Sequence, residues 1–185
     1  MTVLDELFCG DDERAAAAAP RVGAEHLPAL EAALDGLDPD ARWWAVAALA
    51  HVAGDQAAQL LLRAAEDGDP NLRAAALHAL GRHGGPETIP ALLRGLDEAS
   101  DYLARLATDA LVHTTPRAVP ELISILKTHP HPRVRANAAR ALALIGDTSA
   151  IPALFSALSD DSILVQHWAD EGLDRMGVGQ VYFKP

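Results

Sequence analysis

Short apolar stripes at helical spacing alternate with clusters of Gly, Pro, Asp and Asn along almost the whole chain. Leu122, Ile123 and Leu126 make one stripe, and Leu154, Phe155 and Leu158 another. Residues three and four apart share one face of a helix, so each stripe predicts an amphipathic helix. The pattern then repeats. Pro39, Pro70, Asp101, Pro132 and Ile163 stand 31 residues apart. Six positions further on, every copy has an alanine: Ala45, Ala76, Ala107, Ala138 and Ala169. Ten positions on, every copy has a leucine: Leu49, Leu80, Leu111, Leu142 and Leu173.

Each copy predicts two helices. The first is short and opens on an apolar-Pro step: Leu27-Pro28, Ile89-Pro90, Val119-Pro120 and Ile151-Pro152. Proline is tolerated in the first turn because its missing N–H would have no helical partner there. A turn follows in which Asp38, Asp69 or Asp160 is placed to cap the second helix. The second helix closes at Gly84, Gly146 or Gly177, which suit the left-handed position after a helix end.

A pair this short buries too little apolar surface to stand alone, so neighbouring pairs must stack. The expectation is an all-α fold: a right-handed α-α superhelix, or solenoid, forming one repeat domain over residues 1–185. It has five 31-residue pairs at 24–54, 55–84, 85–115, 116–146 and 147–177. Residues 1–23 read as a degenerate N-terminal pair, with helices over 3–9 and 13–22 interrupted at Pro20. In the tail, 178–185, Val181, Tyr182 and Phe183 are expected to fold back over the last repeat.

Segments such as Asp69-Pro70-Asn71-Leu72-Arg73-Ala74-Ala75-Ala76-Leu77 and Arg133-Val134-Arg135-Ala136-Asn137-Ala138-Ala139-Arg140 resemble HEAT repeats. The closest resemblance is to the short HEAT-like repeats named after phycobilisome lyases, and it covers about residues 22–177. That resemblance implies that the second helices line a concave, ligand-facing surface. It also implies an Asp/Arg ladder between repeats, for which Arg42, Arg73 and Arg135 share a column, with Asp38 and Asp69 in the preceding turns. Ala104 and Gln166 interrupt that column. Such repeats serve scaffolds, adaptors, bilin lyases and some enzymes, so the fold does not choose the function.

Two columns project from the second helices onto the inner face. One holds Trp43, Ala74, Arg105, Ala136 and His167; the other holds Ala47, His78, Asp109, Arg140 and Glu171. Trp43, His78, Arg105, Asp109, Arg140 and His167 are therefore the candidate partner-binding residues. Arg105 and Asp109, four apart, are also placed to pair locally. Adjacent Trp43 and Trp44 cannot both face inward. Trp44 shares a column with Leu106 and Trp168 and is expected in the core, which leaves Trp43 partly exposed.

Charge limits the partners. The chain carries 26 acidic and 15 basic residues, a net charge of −11, which opposes non-specific binding to nucleic acid or anionic membrane. Residues 1–40 hold ten acids and two arginines, whereas 116–146 hold five basic residues against Glu121 alone. The basic fourth repeat lies before an acidic fifth, so it either meets an acidic partner or pairs internally. The lone Cys9 excludes an intrachain disulfide and is expected to be buried or without a chemical role. His129-Pro130-His131 reads as a turn, since no carboxylate or thiol accompanies it at ligand spacing. His51 and Arg82 share a column at the end of the second helix, where a cation or donor suits the free carbonyls.

No catalytic, metal or cofactor motif is present, and the expected setting is cytoplasmic. The function expected is a non-catalytic scaffold or adaptor holding a protein or peptide on the concave face. The lyase resemblance leaves bilin or tetrapyrrole handling with a partner subunit as the alternative. The Ala-rich columns predict a shallow face without pocket chemistry, and the oligomeric state is left open.

Overall fold

The computed structural model describes residues 1–114 and 117–178; the expected placement of Val181, Tyr182 and Phe183 lies outside them. Helices form the described structure throughout, with no strand among the described residues. Contacts divide the chain into Met1–Ala91 and Leu92–Pro185, with the division inside helix α7 (Ile89–Gly95).

The first unit opens with α1 (Val3–Leu7) and α2 (Asp12–Ala18). Two pairs follow: α3 (Leu27–Leu34) with α4 (Pro39–Leu49), and α5 (Asp55–Ala64) with α6 (Pro70–His83). The expected helix over 13–22 stops at Ala18. Pro20 lacks the N–H that would continue it, so the chain tightens into a 3₁₀ turn over Ala19–Arg21 that packs on α4. Within this unit α4 packs on α3 and on α6, and α5 packs on α6.

The second unit contains α8 (Asp101–His113), the pair α9 (Val119–Thr128) and α10 (Pro132–Ile145), and the pair α11 (Ile151–Ala157) and α12 (Ile163–Arg175). Here the second helices stack in order, α8 on α10 and α10 on α12, while α9 packs on α11. The last α10 turn ends at Gly146 with φ 71°, the left-handed position that favours glycine.

The repeat columns form the core. Ala45, Ala76, Ala107, Ala138 and Ala169 are each 0 % exposed, and Leu49, Leu80, Leu111 and Leu142 are equally buried. Alanine there lets second helices approach closely, and leucine fills the space beside the contact. The approach is tightest at Gly172 of α12. A Cβ built at Gly172 would lie 3.0 Å from Ala143 Cβ and 3.0 Å from Leu154 Cδ1, with the Ala143 Cα at 3.2 Å.

The polar ladder exists, with different carboxylates from those expected. Arg42 pairs with Asp67, and Arg135 pairs with Asp160 through two bonds of 2.9 Å. Asp38 and Asp69 instead cap their own helices: Asp38 Oδ1 accepts from the N–H of Asp40 at 3.0 Å, and Asp69 Oδ1 from that of Asn71 at 2.8 Å. Arg42 and Arg135 each reach forward into the following repeat's turn, whose carboxylate stands two residues before the cap position. Asp67 and Asp160 also accept from the backbone N–H of Asp69 and Ser162, at 2.9 Å each, which fixes them facing the guanidinium. Asp160 was expected as a cap of α12. The residue at that position is Ser162, and Asp160 holds it from one turn outside. Arg73 donates to the Asp67 and Gly68 carbonyls at 2.8 and 3.3 Å.

The Arg135 and Asp160 side chains are 12 % and 13 % exposed. The guanidinium of Arg135 holds the Asp160 carboxyl below its ordinary value, against the opposing effect of burial. A depressed carboxyl stabilises the fold above its unfolded pKa, and the contribution is lost as pH falls through the folded value. Asp160→Ala should therefore cost about 1.5–3 kcal/mol at neutral pH, the range for hydrogen bonds to charged groups. Chemical denaturation of variant and wild type should show the difference shrinking in acid. Gly172→Val should destabilise by about 1–3 kcal/mol through overpacking, read as a lowered denaturation midpoint with an unchanged slope.

Candidate functional site

Two successive second helices build a pocket in the first unit. Asp38 and Pro39 start α4, and Asp69 and Pro70 start α6 at the same register, so residues 31 apart face each other across the α4–α6 contact. On this shoulder the facing residues are small: Ala47 and Ala50 on α4 and its end, Ala75 and Ala79 on α6. With Ala16 and Ala19 from the N-terminal pair they leave a hollow of about 280 Å³.

The larger side chains line it. Trp43 and Trp44 meet edge to face, with ring centroids 4.8 Å apart and planes at 87°. Trp43 is 41 % exposed, and Trp44 is half-buried rather than in the core. Leu106 and Trp168 in its column are half-buried too, because that column lies on the helix shoulder beside the Ala column. His78 is exposed at the pocket. At one end Arg82 lies 3.4 Å from His51, Nη2 to Nδ1. A guanidinium has no acceptor, so Nδ1 must accept and the imidazole proton sits on Nε2. No carboxylate lines the pocket.

The second unit fills the equivalent positions. Where the first unit has Ala47 and His78, the second has Asp109, Arg140 and Glu171. Arg140 Nη2 donates to Asp109 Oδ1 at 2.8 Å, and its guanidinium lies 5.6 Å from the Trp168 ring centre. Asp109 thus pairs with Arg140 on the next second helix and not with Arg105, four residues away. Glu171 accepts from Arg175 at 2.8 Å. His167 is exposed with its ring 5.3 Å from Trp168, and Arg105 is exposed.

Of the six residues expected to contact a partner, Trp43 and His78 line the first-unit pocket. Asp109 and Arg140 join as an ion pair, and Arg105 and His167 stand apart on α8 and α12. The basic fourth repeat pairs largely with its own unit. Arg133 lies 3.6 Å from Asp97 and from Asp101, Arg135 meets Asp160 and Asp161, and Arg140 meets Asp109. The expectation of a face without pocket chemistry is corrected by the first-unit hollow. His51, Arg82 and Trp44 are the members missed. The shared column of His51 and Arg82 was the available signal, read only as a feature of helix ends.

Other candidates carry less. Cys9 is exposed, with its thiol 3.8 Å from the Asp11 carbonyl. His129 Nδ1 accepts from the His131 N–H at 3.3 Å, a turn contact, and no group of three metal-capable side chains occurs among the described residues.

The family profile described as HEAT repeats matches residues 27–112 and 119–181, and that of a HEAT-like repeat matches 90–145. No curated protein matches the chain. Among solved structures, Escherichia coli YibA is similar at TM-score 0.61 and 18 % identity, over 97 % of this chain and 71 % of its own. The CpcE–CpcF complex of phycocyanin lyase from Nostoc sp. PCC7120 is similar at TM-score 0.57 and 24 % identity, over 84 % of this chain and 66 % of that one. A designed armadillo repeat protein in complex with the peptide (KR)4 is similar at TM-score 0.50 and 19 % identity, over 94 % of this chain and 98 % of its own.

Burial, and then the charge of Arg82, hold the His51 pKa below its ordinary value of 6.5. Arg82→Gln should raise it only part of the way back, because burial is the larger cause and persists. A proton NMR titration of the His51 ring reads this directly. An unchanged titration would mean that the guanidinium does not face the imidazole.

Proposed function

The chain belongs to the HEAT-repeat family, and from that premise we propose that it is a non-catalytic interaction module. It holds a protein or peptide partner on the face of its second helices. The observation that carries this reading is Trp43, a large apolar side chain left 41 % exposed beside an apolar hollow with a cationic end. Such residues anchor partners because they lose much water-exposed apolar area at little cost in side-chain freedom. Trp43 and His78 are the anchors of the first unit. Arg105 and His167 are the exposed contacts of the second, and Asp109 with Arg140 forms the polar pair between them on α8 and α10.

The partner class has support from the same fold elsewhere: the designed armadillo protein holds a peptide, and CpcE and CpcF form a complex. Pigment handling fits the geometry less well. At about 280 Å³ the hollow lies just below the roughly 300–1,000 Å³ of most ligand pockets, room for about one ring system and not for four.

Trp43→Ala/His78→Ala should stay folded with a melting temperature lowered by only a few degrees, since His78 is exposed and Trp43 is partly so and loses mainly its edge-to-face contact with Trp44. It should weaken retention of a captured partner about 30-fold or more, the effect of losing about 2 kcal/mol at an anchor. Parallel capture from native lysate with both chains reads this, with the visible spectrum of each eluate recorded. A coloured eluate from the wild type would transfer the reading to pigment handling, and equal capture by both chains would reject this face.

A further inference from the structure

The pocket's lining is selective in a way that the anchor role alone does not require. Its walls are two indoles and six alanines, its polar groups are Arg82, His51 and His78, and none of its lining residues is acidic. In a chain with 26 acidic residues and 15 basic ones, a surface hollow with only cationic or neutral polar groups is a marked local departure. Arg82 also differs from most of its kind. Arg42, Arg63, Arg133, Arg135 and Arg140 each pair with a carboxylate. Among the described residues the polar partner of Arg82 is His51, at 3.4 Å, and no carboxylate pairs with it. Its remaining N–H donors are arranged as a fork that matches a carboxylate.

Resting on the reading of this face as a protein-binding surface, we propose that the pocket captures the C-terminal aromatic residue of a partner polypeptide, with the ring against Trp43 and Trp44 and the terminal carboxylate on Arg82. Three observations converge on a chain end. The hollow of about 280 Å³ takes one ring-sized side chain. The edge-to-face indoles offer a further aromatic ring both a face and an edge, the arrangements aromatic groups prefer. The apolar walls and the single guanidinium belong to one small pocket, so ring and carboxylate must arrive together. In an extended segment, an acidic residue beside an aromatic one points to the opposite side of the chain. A terminal residue carries both groups on one Cα.

The probes are N-acetylated peptides of random internal sequence ending in Phe, Tyr or Trp, prepared as free acids and as C-terminal amides, with N-acetyl-phenylalanine alone as a third probe. Binding is followed through the indole N–H signals of Trp43, Trp44 and Trp168 and through calorimetric Kd values. The free acids should shift the Trp43 and Trp44 signals and leave Trp168 in place. Amidation should weaken binding about tenfold to a hundredfold, as expected for loss of a charge-assisted hydrogen bond. Arg82→Gln, at an exposed site whose polar partner among the described residues is His51, should abolish the difference between acid and amide while the chain stays folded by circular dichroism. Equal binding of acids and amides, or no binding of either, overturns the proposal. So does N-acetyl-phenylalanine binding as tightly as the peptides, which would make this a small-molecule site. Continued Trp43-dependent capture of proteins alongside failed peptide binding would leave the interaction reading standing and remove only this one.

Discussion

Close stacking of second helices through a buried alanine column is the constraint on which the other features depend. A side chain of any size at Ala45, Ala76, Ala107, Ala138 or Ala169 would hold the neighbouring helix away, and all five are fully buried. Each helix pair is too small to bury its stripe alone, so stacking is what converts a local pattern into a fold. The register of 31 residues follows, because an insertion within a helix would rotate the alanine off the contact, whereas one in a loop leaves it in place. Gly172 marks the limit of this compression: α12 comes so near Ala143 that even a methyl group is crowded.

The polar ladder is a consequence of the same spacing. Arg42 and Arg135 reach the turn of the next repeat only because that turn is brought close, and each finds a carboxylate already fixed by a backbone N–H two residues on. The turn thereby satisfies its own exposed amide and the neighbouring cation with one side chain. This pre-orientation suits the pair to repeat-to-repeat alignment, since the carboxylate loses little further freedom on meeting the guanidinium. Arg135 adds the carbonyls of His129 and Pro130, at 2.9 and 3.1 Å, and so ties its own turn to the next.

Much of this was legible in the sequence. Helix pairing, the buried Ala and Leu columns, the Pro starts and the left-handed glycines are all local or periodic signals, and each repeats several times. The failures concern contacts between repeats. Sequence proximity points the ladder arginines to the acids of the preceding turn, Asp38 and Asp69. The structure chose Asp67 and Asp160, 25 residues on, because stacking makes the next turn nearer in space. Asp109 escaped a local pair for the same reason. The apolar column of Trp44, Leu106 and Trp168 points to the core, yet it lies on a shoulder that stacking leaves half open. The pocket has no signature in the sequence because every residue that makes it is ordinary alone: a hollow is a property of which small residues meet across two helices.

One column decides whether a pair of second helices is open or closed on that shoulder. Ala47, His78, Asp109, Arg140 and Glu171 occupy the same register in successive copies. On α8 and α10 Asp109 and Arg140 reach one another, with Arg140 against the Trp168 ring, and on α12 Glu171 meets Arg175 of its own helix, so charge is neutralised and the shoulder is filled. On α4 the residue is alanine, His78 of α6 stays exposed, and Arg82 of α6 reaches, among the described residues, only the neutral ring of His51 at the pocket's end. A partly exposed indole, and a guanidinium that meets an imidazole and no described carboxylate, stand there, where α8 and α10 share the Asp109–Arg140 pair. A repeat protein needs its stacking column to be uniform, since every copy solves the same packing problem. It has no such need on the shoulder, where departure from the repeat costs little stability. The position at which one copy departs from the polar pair of its neighbours, and leaves apolar walls beside a cation, is therefore where the repeat tolerates an open surface at least cost to the stack.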